Sequence, residues 1–167
     1  GRIMQRRDFL TLSGVAAFAA AAGGAGGGSD LSQVGQWQKG KPATPIRIRR
    51  IYADDKGDSH FEMMTLADKL EAIPLTSLRA INYRPAKNNW HNAPAKTFAI
   101  NMEGDLEVET SLHTKHKVGP GDLVFMMDLT GKGHVTRILT PVKACFIGVD
   151  PKFDIVSWAK GGPAIPS

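Results

Sequence analysis

The chain is short of the residues that would staple a small fold together or commit it to a common chemistry. Its one cysteine, Cys145, excludes an intramolecular disulfide and any Cys-x-x-Cys element, so stability must come from a packed core. Aromatic residues make up 7% of the chain and no basic stripe interleaves with them, so no nucleic-acid partner is expected despite a net charge of +5. The densest basic cluster, Arg47, Arg49 and Arg50, alternates with Ile46, Ile48 and Ile51 as a strand would. Neither a Ser-His-Asp arrangement nor a phosphate-cradling glycine loop is present. Glu107 and Glu109 stand two apart on a predicted strand and face the same way, whereas a glycosidase pair needs two opposed walls.

What is present begins with an N-terminal pattern. Arg6-Arg7-x-Phe9-Leu10 resembles a twin-arginine export signal, and a weakly apolar, Ala/Gly-rich stretch follows it to Gly28. The Gly-rich half is too weakly apolar for a span of about 20 residues, so no membrane anchor is expected once the signal is cleaved, with cleavage in the Ala20–Gly28 region. Met4 is expected to be the natural start, with an added scar before it, unless the start lies further upstream. The expected organisation is a signal over 1–28, a linker or arm over 29–44, one domain over 45–150 and a Pro/Gly-rich tail over 151–167. A periplasmic or other extracytoplasmic location follows from the signal.

From Pro45 onward, short segments of period-two alternation are broken by turn residues. Strands are expected at Ile46–Tyr52, Ser59–Met63, Ser77–Arg84, Thr97–Met102, Leu106–Thr110, Leu123–Met127, His134–Leu139 and Val142–Val149. One helical turn is expected at Leu66–Leu70, a turn at Lys87–Asn89 and a polar hairpin tip carrying solvent-facing His113 and His116. Ile155–Trp158 is read as a return over an edge. Many short strands with almost no helix indicate an all-β sandwich or barrel.

The stretch from Trp90 to Ile138 resembles the cupin superfamily, whose domains are small jelly-roll barrels. Its first motif has the form Gly-x5-His-x-His-x3–4-Glu-x6-Gly. Here His91 takes the first histidine and Gly104 the last glycine, while Ala93 and Thr97 replace the second histidine and the glutamate. The second motif, Gly-x5-Pro-x-Gly-x2-His-x3-Asn, opens at Gly121 and closes at Gly131-x2-His134 with two extra residues between. Leu129 replaces its proline and Ile138 its asparagine. Pro120-Gly121-Asp122, the run from Asp128 to His134 and the earlier Ser59-His60-Phe61 are similar to a group of small single-domain bacterial cupins.

The resemblance implies one divalent transition metal (Mn, Fe, Zn or Ni) and no organic cofactor, with His91 and His134 as ligands. Two neutral imidazoles are too few for tight binding, so His60 and Asp128 are candidates to complete the site. For Asp128 the alternative is a turn-fastening role, and for His60 a structural one. Thr97, Ala99 and Asn101 share a face, which makes Thr97 and Asn101 candidate ligand-binding residues, with Phe98, Ile100 and Met102 packing elsewhere. Trp90 is a candidate for the barrel mouth, plain packing being the alternative. The expected function is binding of a small polar or anionic molecule beside a divergent metal site. The alternatives are a metal-dependent dioxygenase or isomerase and a metal-free interaction module, so enzymatic activity is left open. A homodimer is expected, because single cupin domains commonly cover an exposed face or edge by pairing.

Overall fold

A computed structural model of the chain describes residues 44–165. The expected signal and most of the expected arm lie outside the described residues. The strands are β1 (Arg47–Ala53), β2 (Ser59–Thr65), β3 (Leu75–Tyr83), β4 (Ala86–Lys87), β5 (Thr97–Glu103), β6 (Leu106–Thr110), β7 (Lys115–Val118), β8 (Leu123–Met126), β9 (His134–Ile138) and β10 (Val142–Val149), followed by α1 (Ile155–Ala159). They form a six-stranded sheet in the order β2-β1-β8-β5-β10-β3 and a four-stranded sheet in the order β4-β9-β6-β7. From β3 onward every connection crosses between the sheets except the β6–β7 hairpin. That alternation, with these neighbours, is the double Greek key of a jelly roll. The fold is thus all-β and cupin-like, and the β1–β2 hairpin extends the larger sheet along β8.

Period two explains what each face of the large sheet carries. In β8, Val124 and Met126 point between the sheets, while Phe125 points outward into a separate core. Both faces of β8 are covered, so its sequence is a continuous apolar run rather than an alternating one. The outer core is an aromatic cluster in which Phe98 meets Phe125 at 4.6 Å and Phe153 stands 5.5 Å from Phe125 and 5.6 Å from Trp158. The segment carrying Phe153 and α1 is held over the sheet by Lys96 Nζ donating to the Phe153 carbonyl at 2.7 Å. Trp158 Nε1 donates to the Glu71 carbonyl at 2.6 Å. Asp154 caps α1 by accepting from the amides of Val156 and Ser157. The tail therefore covers a sheet face, not an edge.

Three local expectations need correction. Leu66–Leu70 contains bends rather than a helical turn, because Leu66 is drawn into the outer core and the Leu66 and Ala67 amides bond to Ile46 and Ala159. The expected turn at Lys87 begins instead in β4, which pairs with β9. His116 is not at an exposed tip: it lies in β7, stacked on Phe61 at 4.5 Å, where burial, with Arg49 adding to it, holds its imidazole below the ordinary value. Among the described residues, no helix is long and apolar enough to cross a membrane.

Candidate functional site

The inner faces of the two sheets do not fill the space between them. A cavity of about 210 Å³ remains, walled mainly by apolar side chains such as Ile51, Val108, Val124, Ile138, Val142 and Phe146. β3 contributes Arg79 and Tyr83 to its polar lining, and the other polar groups gather near the histidines. β9 turns His134 and Thr136 inward, β5 contributes Thr97, and the segment after β4 brings His91 alongside β9.

The His91–His134 approach is made by backbone. The His91 amide donates to the His134 carbonyl at 3.1 Å and the His134 amide donates back at 2.9 Å. Gly133 makes this possible: with φ at +69°, it lies where an added Cβ would come within 2.3 Å of the His91 carbonyl oxygen. Ser59, fully buried on β2, donates from Oγ to the Gly133 carbonyl at 2.6 Å, and Asn92 Nδ2 clasps the carbonyls of Asp128 at 3.1 Å and Thr130 at 2.9 Å. The loop that delivers His134 is pinned from both sides.

The side chains then fix hydrogen-bond direction. Asp128, with no exposed surface, accepts from His134 Nδ1 at 2.7 Å, so the ring proton sits on Nδ1 and the Nε2 lone pair is left for the cavity. His91 Nδ1 donates to the Asn89 carbonyl at 2.8 Å, which leaves its Nε2 in the same condition. The two rings lie 4.5 Å apart between centroids, tilted by 55°. Asp128 Oδ1 is buried without a hydrogen-bond partner among the described residues, so the carboxylate's polar demand falls on His134. Replacing Asp128 by Ala leaves the buried Nδ1–H unpaired. The expected outcome is a loss of about 1–3 kcal/mol in denaturant unfolding. Imidazole ¹⁵N shifts should report mixed tautomers at His134 where the parent protein shows one.

The expected site residues fall into two groups. His91, His134 and Thr97 line the cavity, and Asp128 stands behind His134 rather than in the wall. His60 does not join them. It pairs with Tyr52, whose neighbour Ile51 points into the cavity, so His60 is on the opposite face, stacked on Tyr52 and bonded to Asp54 Oδ2 at 2.9 Å. That hydrogen bond holds the Asp54 carboxyl below its ordinary range. Asn101 does share the buried face of Thr97 but does not line the cavity: its Nδ2 donates to the Gly104 carbonyl of the β5–β6 turn at 2.8 Å, and its Oδ1 is buried without a partner among the described residues. Trp90 is 46% exposed in a shallow groove with Lys87 and Val135, on the outside of the small sheet. Sequence reasoning passed over Ser59, Arg79, Tyr83, Asn88 and Thr136. Ser59 was within reach, as the neighbour of His60 in the matched Ser-His-Phe run.

The metal implied by the resemblance can be tested against this donor set. His91 and His134 converge, but His60 is on another face and Asp128 is engaged with His134. Among the described residues no group of three or more His, Cys, Asp or Glu side chains could hold an ion. Two neutral nitrogen donors without a carboxylate do not fit a tightly held divalent transition metal.

No protein-family model matches the chain, and no curated protein does. Solved structures similar to it include protein NMB1881 from Neisseria meningitidis, at 11% identity and a TM-score of 0.38, covering 50% of this chain and 89% of that one. A conserved SPY1581 protein of unknown function from Streptococcus pyogenes is 10% identical with a TM-score of 0.37, over 65% of this chain and 78% of its own. A Salmonella typhimurium protein described as ethanolamine utilization protein Q is 15% identical with a TM-score of 0.37, over 65% of this chain and 99% of its own. The fold assignment rests on the strand order and not on these scores.

Proposed function

We propose that the chain binds a small molecule between its sheets, with an apolar body against the aliphatic wall and a polar or anionic group toward His91, His134 and Thr97. The observation that carries this reading is the cavity itself: about 210 Å³, largely apolar, with two imidazole rings side by side in its wall. No resident metal is part of the proposal, and among the described residues the dioxygenase and isomerase alternatives lack a third ligand for the ion they would use. A panel of small organic molecules, followed by amide shifts in the ¹⁵N-labelled protein, tests it. Shifts should cluster at Thr97, Ala99 and Thr136, and a panel without any such cluster rejects the reading. Elemental analysis of protein purified without chelator or nickel resin is expected to find substoichiometric transition metal; one tightly held ion per chain would restore the metal reading.

Two further proposals concern where and how the domain works. Export by the twin-arginine route is supported by Arg6-Arg7-x-Phe9-Leu10. Replacing both arginines by lysine is expected to leave the protein in the cytoplasm, and normal delivery of that variant would reject the route. A homodimer is supported by β3, a nine-residue edge strand with Leu75 and Leu78 exposed by 54% and 63%. Light scattering that finds a monomer at high micromolar concentration would reject it.

A further inference from the structure

The cavity wall contains a cation that neither the motif positions nor the histidine pair account for. Arg79 lies on the inner face of β3, in register with Phe146 of β10, and both side chains line the cavity. Arg49, Arg50 and Arg137 each meet a carboxylate, whereas Arg79 has no ion-pair or hydrogen-bond partner among the described residues. Among the described residues no aspartate or glutamate lines the cavity to compete for its guanidinium. Strand pairing sets it apart from the histidine end. Arg79, Phe146 and Ala99 form one row across β3, β10 and β5, and Thr97 lies two residues further along β5. Two residues of strand correspond to about 7 Å.

Hydrogen-bond direction at the two ends then specifies a ligand. Arg79 offers only donors, in a planar fork that matches a carboxylate. In their neutral form His91 and His134, with the ring proton held on Nδ1 by Asn89 and Asp128, offer acceptors at Nε2. Between the ends the wall is aliphatic and aromatic. We propose, building on the ligand-binding reading above, that the cavity takes an organic hydroxy acid, its carboxylate on Arg79 and its O–H donated to the histidine pair. Size narrows this further. A cavity of about 150 Å³ admits benzene, so one of about 210 Å³ suits a single ring or a short chain with a polar group at each end. A phosphate is disfavoured because, among the described residues, Arg79 is the one arginine or lysine of this wall, and α1 packs on the other face of the sheet.

Calorimetric titration of the full chain with 4-hydroxyphenylacetate and three analogues tests the proposal. Its methyl ester and 4-methylphenol remove the carboxylate, and phenylacetate removes the hydroxyl. Each analogue is expected to bind about tenfold or more weakly than the parent acid. Arg79→Met should weaken the acid to the level of its ester and leave 4-methylphenol unchanged, while Arg79→Lys should fall between. Because Arg79 is exposed, both variants should unfold with the parent protein. Equal affinity for acid and ester, or a preference for the acid that survives Arg79→Met, overturns the carboxylate anchor but leaves cavity binding intact. Phenylacetate binding as tightly as the hydroxy acid overturns the role given to the histidines. If none of the four probes binds while other panel molecules shift the cavity amides, the hydroxy-acid class alone is overturned; if nothing shifts them, both readings fall.

Discussion

Phe125→Ala is expected to destabilise the domain by about 3–5 kcal/mol, lowering the melting temperature by roughly 10 °C or more. Phe125 has no exposed surface and sits where β8, the Phe153 segment and Phe98 meet, with ring contacts to Phe98 at 4.6 Å and to Phe153 at 5.5 Å. Its removal leaves a void that rigid neighbours cannot close, because Phe98 is anchored in β5 and Phe153 is tied to Lys96. Met102 provides the control. It lies on the same outward face of the large sheet but beyond the reach of the tail, 53% exposed, so Met102→Ala should change stability by no more than about 0.5 kcal/mol. Denaturant unfolding of the two variants measures how far the C-terminal cover extends. A loss for Phe125→Ala below about 1 kcal/mol would mean that the outer core does not hold the tail to the sheet.

Alternation made most of this fold legible. Runs such as Leu106–Thr110 declare themselves because their inward and outward residues differ in polarity, whereas Arg47–Ala53 sends Ile48 to the outer core and Ile51 to the cavity wall, with arginine on both faces. β7 escaped because Lys115-His116-Lys117 has three polar side chains in succession, and its strand character comes from pairing with β6. The site was legible at His91, His134 and Thr97, which occupy motif positions, and less so where a role depends on which face a strand presents. His60 shows the difficulty: one step along β2 exchanges an inward side chain for an outward one, and only the register with β1 decides which it is. Arg79 carried no local signal, since an arginine in Leu-Arg-Ala-Ile reads as the polar half of an edge strand. Its place in the wall follows from β3 lying beside β10 across a long stretch of chain. Nor does any run of apolar residues reveal whether facing side chains meet or leave a space between them.

Gly133→Ala should separate the two histidines and remove ligand binding, at a stability cost of about 3 kcal/mol or more. Two effects add at this position. The left-handed φ of +69° costs a residue with a Cβ about 1–2 kcal/mol. The new Cβ would also stand 2.3 Å from the His91 carbonyl oxygen and 2.6 Å from its carbon, atoms that cannot swing aside as a side chain can. Relief requires the His91 segment to move away from β9, which breaks the paired amide–carbonyl bonds of 3.1 and 2.9 Å between His91 and His134. Gly121→Ala separates the two effects, since Gly121 has a φ of +84° and nothing within 4 Å of an added Cβ. That variant should lose only the backbone part, about 1–2 kcal/mol, and keep its affinity for cavity ligands. Hydrogen exchange offers the local readout: the His91 and His134 amides should lose protection in Gly133→Ala and keep it in Gly121→Ala. If the two variants are equally stable and equally protected, close backbone approach at Gly133 is not what brings the histidines together, and Ser59 and Asn92 alone must hold the loop.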